Sequence, residues 1–264
     1  MNKPKEGGVL RKFFYDYYTE ADICGMYNLP HFIVLFLFFG LLAVALYFSR
    51  KLTERQVKRV HFWIAVGITL LEIVKVSIRV YKKQPPNDWM PLFYCSLFLF
   101  AVWFALSKWK PLSRVGYSYL TMGGAAAAAF YIVYPSTGLG MYPLWHPASL
   151  HGIFYHFVMC YTGLLILFKG QFKPTAKDSL FYFIFVFGAC IPSYFFNEWL
   201  ESNCMFLRDA FGLPFLSDIL KNSHFAYMAI VSLAQSVGMY WLNYGAYRLV
   251  LFLKNKKAEK VEKV

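Results

Sequence analysis

The sequence predicts an all-α membrane protein, a bundle of about seven transmembrane helices with its N-terminus outside and its C-terminus in the cytoplasm. Three observations predict this fold class: an excess of hydrophobic residues, seven long apolar runs, and an uneven distribution of lysine and arginine. Of the 264 residues, 58% are hydrophobic and only 16% are charged. A water-soluble domain carries charges on about a quarter of its positions, so the excess apolar surface requires a bilayer.

A helix rises about 1.5 Å per residue and needs about 20 apolar residues to cross a hydrocarbon core of about 30 Å. Seven candidate runs cover residues 31–49, 61–81, 90–107, 115–134, 148–168, 180–200 and 225–253. The third run is short, and we expect its first helical turn at Pro91. The predicted organisation is an extracytoplasmic segment over 1–30, a seven-helix domain over 31–253 and a basic cytoplasmic tail over 254–264.

The orientation follows from the basic residues between the runs. The segments after the first, third and fifth runs, together with the C-terminal tail, carry 17 lysines and arginines, whereas the opposite side carries 8. Basic residues accumulate on the cytoplasmic side of membrane proteins, which places the N-terminus outside. The formal charge of +13 is therefore a topology signal, and no nucleic-acid partner is expected.

The cysteines and histidines do not have the spacing of a disulfide framework or a metal site. The five cysteines include no CxxC pair, and His146, His151 and His156 are five residues apart, without an HxxxH motif. We expect no metal and no cofactor. The sequence does not indicate an oligomeric state.

Three polar residues are candidates for catalysis because of their depth in the membrane. Under the predicted topology, Cys95, His156 and Asn197 all fall in the outer half of the bilayer, where they could converge. A thiol, an imidazole and an amide are the groups that a nucleophile, its general base and an oxyanion donor require.

The same helices offer candidate substrate-binding residues. Ser149 and Gly152 share a small, polar face with His156 at helical spacing, and Gly152 leaves room beside the imidazole for a substrate carbonyl. Ser193 lies one turn before Asn197 in the sixth run. We therefore expect Ser149, Gly152 and Ser193 to contact the substrate.

The second run carries an intramembrane polar network of Glu72, Lys75 and Arg79 on one face. Three charges in one span cannot face lipid, and Glu72 can pair with Lys75 at the i, i+3 spacing. A structural ion-pair network and a proton path are both open interpretations of this stripe.

Several stretches together resemble a known family. Residues 90–97 (Met-Pro-Leu-Phe-Tyr-Cys-Ser-Leu) resemble the Leu-Pro-Leu-x-x-Cys-Ser segment of the YwaF family of bacterial integral membrane proteins. His156, followed by Gly-x-x-x-Pro within 169–174, is similar to that family's histidine helix and loop. Asn197 with residues 203–207 resembles its Asn followed by Asn-Tyr-x-Phe-Leu. The resemblance extends from Tyr27 to Trp241.

This resemblance implies a six- or seven-helix bundle and an activity. The YwaF family is similar to a eukaryotic transmembrane protein described as a cysteine-dependent phospholipid acyltransferase, and more distantly to androgen-induced hydrolases of fatty-acid esters. By that likeness Cys95 would be the nucleophile and His156 its base. The chain departs from the family pattern at Phe93, where a histidine is frequent, and at Cys204, where a tyrosine is expected.

Three functions are compatible with these patterns. The first is a Cys-His acyltransferase or lipid ester hydrolase, with membrane phospholipids as partners and Asn197 or a backbone N–H at the oxyanion. The second is a small-solute or ion transporter or channel, and the third is a non-catalytic membrane scaffold. The nearer resemblance predicts a multi-pass protein of a bacterial cell membrane, or of the endoplasmic reticulum membrane if the source is eukaryotic.

Overall fold

The computed structural model describes residues 19–86, 90–210 and 214–262, with side chains described through residue 259. The described residues form helices and turns without a β-strand. The α-helices are α1 Leu29–Ser49, α2 Glu54–Tyr81, α3 Leu97–Ala105, α4 Lys110–Tyr119, α5 Ala125–Val133, α6 Pro147–Phe168, α7 Asp178–Leu200, α8 Pro214–Asn222, α9 His224–Leu233 and α10 Met239–Glu262. The predicted extracytoplasmic segment and basic tail fall partly outside the described residues, at 1–18 and at 263–264.

Polar residues begin several of these helices by satisfying their free backbone N–H groups. The Asn28 side chain accepts from the His31 N–H at the start of α1, and Ser223 accepts from Ala226 at the start of α9. Thr53 and Gln56 form a reciprocal capping box before α2. The sequence therefore fixes where these helices start.

Four helical stretches are long and apolar enough to cross a membrane: Leu29–Ser49, Pro147–Phe168, Asp178–Leu200 and His224–Glu259. They correspond to the first, fifth, sixth and seventh predicted runs. The exposed face of α1 consists of large apolar side chains, among them Phe36 at 77% exposure, as expected for a helix that contacts lipid.

The expectation of a helical turn at Pro91 is wrong. Residues 91–96 form turns, and α3 begins at Leu97 and has nine residues, or about 13.5 Å of helix. In a helix the Leu92 carbonyl would accept from Ser96 N–H, but Ser96 bonds to the Phe93 carbonyl, while Leu92 accepts from Met205 N–H at 3.1 Å. A tertiary hydrogen bond thus replaces the helical one at Leu92, while the carbonyls of 93–96 accept from residues three positions later in the chain.

Two π-helical segments interrupt otherwise continuous helices. One, Leu120–Gly124, joins α4 to α5, and the other, Ala234–Gly238, joins α9 to α10. The first packs closely on α6, because a Cβ added to Gly163 would overlap the Leu120 carbonyl. Segments of this kind are frequent near functional sites, and the first lies beside the turn that carries Cys95.

An ion pair with a buried carboxylate joins α4 to α7. Arg114 Nε donates to Asp178 Oδ1 at 2.7 Å, and Asp178 is fully buried. The other carboxylate oxygen accepts from the Thr175 N–H at 2.8 Å and the Thr175 hydroxyl at 2.7 Å. The carboxylate therefore has several charge-assisted or polar partners, as a buried charge requires.

Candidate active site

The turn over residues 91–96, the Cys95 turn, is held by hydrogen bonds from several distant parts of the chain. On one side the Tyr155 hydroxyl of α6 donates to the Cys95 carbonyl at 3.3 Å. On the other side the Ser193 hydroxyl of α7 donates to the Leu92 carbonyl at 3.4 Å. Non-helical backbone is tolerated at membrane depth only where the protein supplies such partners.

Buried tyrosines form hydrogen bonds with this turn. Tyr119 donates its hydroxyl hydrogen to the Tyr94 carbonyl at 2.5 Å, and the hydroxyls of Tyr94 and Tyr182 are hydrogen-bonded to each other. Tyr182 also donates to the Gln235 carbonyl at 3.0 Å. Because these aromatic rings are buried and their hydroxyls are paired, they hold the backbone at Tyr94, next to Cys95, in place.

His156 is held in one orientation by two contacts on α6 and α5. Its Nδ1 lies 2.7 Å from the Gly152 carbonyl, and its ring stacks on the Tyr131 ring with centroids 3.6 Å apart and planes within 4°. A carbonyl only accepts hydrogen bonds, so Nδ1 carries the proton and Nε2 of the neutral ring carries the lone pair. That Nε2 is buried and has no hydrogen-bond partner in the described part of the chain.

Cys95 and His156 share aromatic neighbours but are not hydrogen-bonded to each other. Tyr155, which bonds to the Cys95 carbonyl, also packs against the His156 ring with centroids 5.7 Å apart. Tyr131, which stacks on His156, lies within electrostatic range of the Cys95 side chain. The thiol is partly buried. The Cys95 turn and the His156 ring therefore both contact Tyr155 and belong to one region of the structure.

Tyr131 and Tyr155 are functional candidates that the sequence patterns missed. In the sequence, a tyrosine within an apolar run cannot be distinguished from any other buried aromatic residue, so neither tyrosine was identified as a candidate. Gly138 and Gly152 both lie directly against Tyr131, since a Cβ at either position would overlap its hydroxyl. The room that Gly152 was expected to leave for a substrate is thus occupied by Tyr131.

Gly152→Ala is expected to displace Tyr131 from the His156 ring. The added methyl group would overlap the Tyr131 hydroxyl, and overpacking of this kind costs about 1 to 3 kcal/mol of stability. The midpoint of thermal unfolding in detergent should fall, and Tyr131→Phe in the same chain should restore most of the loss. Gly188→Ala is the matched control, because no atom lies within 4 Å of its added Cβ. Equal midpoints for Gly152→Ala and Gly188→Ala would contradict the stacking geometry.

The two predicted serines occupy different environments. Ser149 is fully buried on α6, and its hydroxyl has no partner among the described residues. Ser193 donates to the Ala189 carbonyl at 2.7 Å and more weakly to Leu92. The Ser149 hydroxyl is therefore buried and unsatisfied among the described residues, while Ser193 supports the Cys95 turn.

Asn197 organises the loop after α7. Its Oδ1 accepts from Cys204 N–H at 2.7 Å and from the Ser202 hydroxyl at 2.9 Å, and its Nδ2 donates to the Cys204 carbonyl at 3.0 Å. The next residue, Met205, donates its N–H to the Leu92 carbonyl. Asn197 is thus connected to the Cys95 turn through this loop, and one Nδ2 hydrogen is not used by these bonds.

The charged stripe of α2 forms the ion pair that its spacing predicts. Lys75 Nζ lies 2.6 Å from Glu72 Oε1, and Arg79 Nη1 donates to Gln84 Oε1 at 3.2 Å. Glu72 is 8% exposed. The helix that carries the stripe packs against α6, and the charges of Lys75 and Arg79 act on His151 of that helix.

The described cysteines are all free thiols, and the described residues contain no group of three metal-ligating side chains. Burial raises the pKa of the Cys204 thiol in the loop after α7, against the opposing effect of its hydrogen bond with Ser202. Cys204 is therefore expected to be an unreactive thiol at neutral pH.

A family model described as the TMEM164 family matches residues 26–244, which is most of the chain. The chain belongs to the TMEM164 family. It is thus a member of a transmembrane protein family, in agreement with its several long apolar helices. Searches of curated proteins and of solved structures found no match to this TMEM164-family chain.

Proposed function

We propose that this TMEM164-family protein is a multi-pass membrane enzyme that transfers acyl groups of membrane phospholipids through Cys95 and His156. The observation that carries the proposal is the hydrogen bonding of the two His156 ring nitrogens. Its proton is fixed on Nδ1 by the Gly152 carbonyl, which leaves Nε2 as a buried, unpartnered base near the Cys95 turn. The YwaF-like pattern of Cys95, His156 and Asn197 is its second support.

The chemistry has two balanced steps. His156 Nε2 removes the thiol proton as Cys95 Sγ attacks an ester carbonyl; the carbon–oxygen bond breaks, the acyl group becomes a thioester, and the alcohol leaves with the proton. An acceptor hydroxyl then attacks the thioester and loses its proton to His156, which returns it to the thiolate. With water as acceptor the same steps release a fatty acid. The unused Nδ2 hydrogen of Asn197 or a turn N–H would hold the oxyanion.

The proposed setting is the outer half of a cell membrane, in a seven-span topology with the N-terminus outside. α2 is about 42 Å long and the continuous helix from α4 to α5 about 36 Å, enough to cross a hydrocarbon core of about 30 Å. The third span would combine the Cys95 turn with the short helix α3. Ester bonds lie just below the lipid head groups, at the depth this arrangement gives to Cys95.

Alkylation of the purified protein in detergent with a lipid-tailed iodoacetamide tests the proposal. Peptide mapping should show labelling of Cys95 ahead of the other four cysteines, and His156→Gln should slow it at least about tenfold, because the thiolate is the reactive species. His61→Gln is the matched control, since His61 is also a buried histidine whose Nε2 has no described partner. Equal, slow labelling of all five cysteines would favour the transporter or scaffold alternatives.

A further inference from the structure

The ends of α2 and α6 bring together three nitrogen-bearing side chains that the acyl-transfer step does not use: Lys75, Arg79 and His151. α2 packs against α6, and Lys169 at the end of α6 donates to the Arg50 carbonyl, just before the start of α2. The two helices are therefore antiparallel, which places the end of α2 beside the start of α6, and the charges of Lys75 and Arg79 act on His151. Arg79 lies two residues before the end of α2, and His151 lies four residues after the start of α6.

Among the described residues, this cluster carries more positive than negative charge. Glu72 neutralises Lys75 across 2.6 Å, while the Arg79 guanidinium donates to the neutral amide of Gln84. An excess cation at the edge of a hydrocarbon phase is stable when it reaches water or an anion. The Lys75 side chain is 24% exposed, so an anion can approach the pair from outside.

His151 supplies an observation that points to a ligand. Its Nε2 is buried and has no hydrogen-bond partner in the described ranges of the chain. The ring is held against Tyr155, with centroids 5.7 Å apart and planes within 21°. A buried nitrogen without a partner, beside two cations, donates to an anionic oxygen when it carries the proton of the ring.

The position of the cluster relative to Cys95 matches the shape of a phospholipid. His151 precedes Tyr155 by one helical turn, or about 6 Å along α6, and the Tyr155 hydroxyl binds the Cys95 carbonyl. In a glycerophospholipid the phosphate lies a few bonds outside the ester groups. A phosphate at His151 would therefore leave an ester near the Cys95 turn.

We infer that Lys75, Arg79 and His151 form a subsite for the phosphodiester of a membrane phospholipid. This inference rests on the proposed function for its purpose, but its test does not require catalysis. Arg79 supplies a planar set of donors that fits phosphate oxygens, Lys75 supplies a second charge and His151 a donor from the buried side.

Binding of two fluorescent lipids to the full-length protein in dodecylmaltoside micelles tests the subsite by fluorescence anisotropy. The probes are a BODIPY-labelled phosphatidylglycerol and a BODIPY-labelled diacylglycerol with the same chains, which lacks the phosphate. Wild type should bind the phospholipid at least about tenfold more tightly, and Arg79→Gln should remove about tenfold of that affinity while leaving diacylglycerol binding unchanged. The double variant Glu72→Gln with Lys75→Gln, which leaves no unpaired buried carboxylate, should do the same.

Lys83→Gln is the matched control, because Lys83 is an exposed cation just beyond the end of α2. Equal loss of affinity in this variant, or equal binding of both lipids by wild type, would overturn the subsite. Displacement of the phospholipid by millimolar inorganic phosphate would assign the site to free anions and overturn the headgroup assignment. The assay is repeated with Cys95→Ala: a retained phospholipid preference together with absent acyl transfer in wild type would refute the proposed function and leave the subsite standing.

Discussion

His156→Gln is expected to lower acyl transfer between phospholipids by about 10²- to 10⁴-fold, the usual contribution of a positioned general base. Glutamine can still bond to the Gly152 carbonyl, so it preserves packing while removing the lone pair that Nε2 offers. The measurement is transfer of a radiolabelled acyl chain from phosphatidylglycerol to a lysophospholipid in nanodiscs, with released fatty acid counted separately.

Cys95→Ala in the same assay should reduce transfer to background, because no thioester can form. In wild type, the thioester should be detected as an acyl adduct on the Cys95 peptide that hydroxylamine removes. His61→Gln should retain most of the activity. Full activity in Cys95→Ala would show that any acyl transfer uses another nucleophile, and the proposed mechanism would then be abandoned.

Asn197→Ala is expected to lower the free energy of unfolding by about 3 kcal/mol. The substitution removes three hydrogen bonds and leaves the buried Cys204 N–H without a partner, and a buried unsatisfied group costs about 1 to 3 kcal/mol. The Cys204 carbonyl keeps its bond from the Leu207 N–H, and the Ser202 hydroxyl keeps its contact with the Cys204 thiol. Thermal unfolding in detergent and the alkylation rate of Cys204 measure the effect, since loosening of the loop should expose this thiol.

Asn243→Ala is the matched control, because the Asn243 side chain donates to the carbonyl of Met239 in its own helix. Asn197→Asp separates the structural from the oxyanion role. The aspartate side chain keeps an oxygen that accepts from the Cys204 N–H, but it lacks the N–H groups of the asparagine amide. A stable Asn197→Asp protein with reduced acyl transfer would support the oxyanion role, whereas unchanged stability in Asn197→Ala would contradict the loop geometry.

The long apolar runs predicted several helices to within a few residues. The runs 31–49, 148–168 and 180–200 correspond to α1, α6 and α7, because twenty consecutive apolar residues have few other stable structures in a bilayer. The Glu72–Lys75 pair was equally predictable, since it is a local contact between residues three apart.

The short third run could not be predicted in the same way. Nothing local to Pro91 reveals that Met205 and Tyr155 will donate hydrogen bonds to carbonyls of its turn, because those partners lie far away in sequence. Likewise, the stacking of Tyr131 on His156 depends on how α5 packs against α6. The seven-span topology, the orientation of the termini and the catalytic roles stay predictions.

The hydrogen bonds of the Cys95 turn have a consequence for biosynthesis. The turn is synthesised early, yet its partners include Tyr119, Tyr155, Ser193 and Met205. A nascent chain that has inserted only its first three apolar runs therefore contains the cysteine without its final backbone shape. The last of these contacts forms only after Met205 has been synthesised. In truncated products that end earlier, the segment around Cys95 should therefore be loosely ordered and the candidate site should not form.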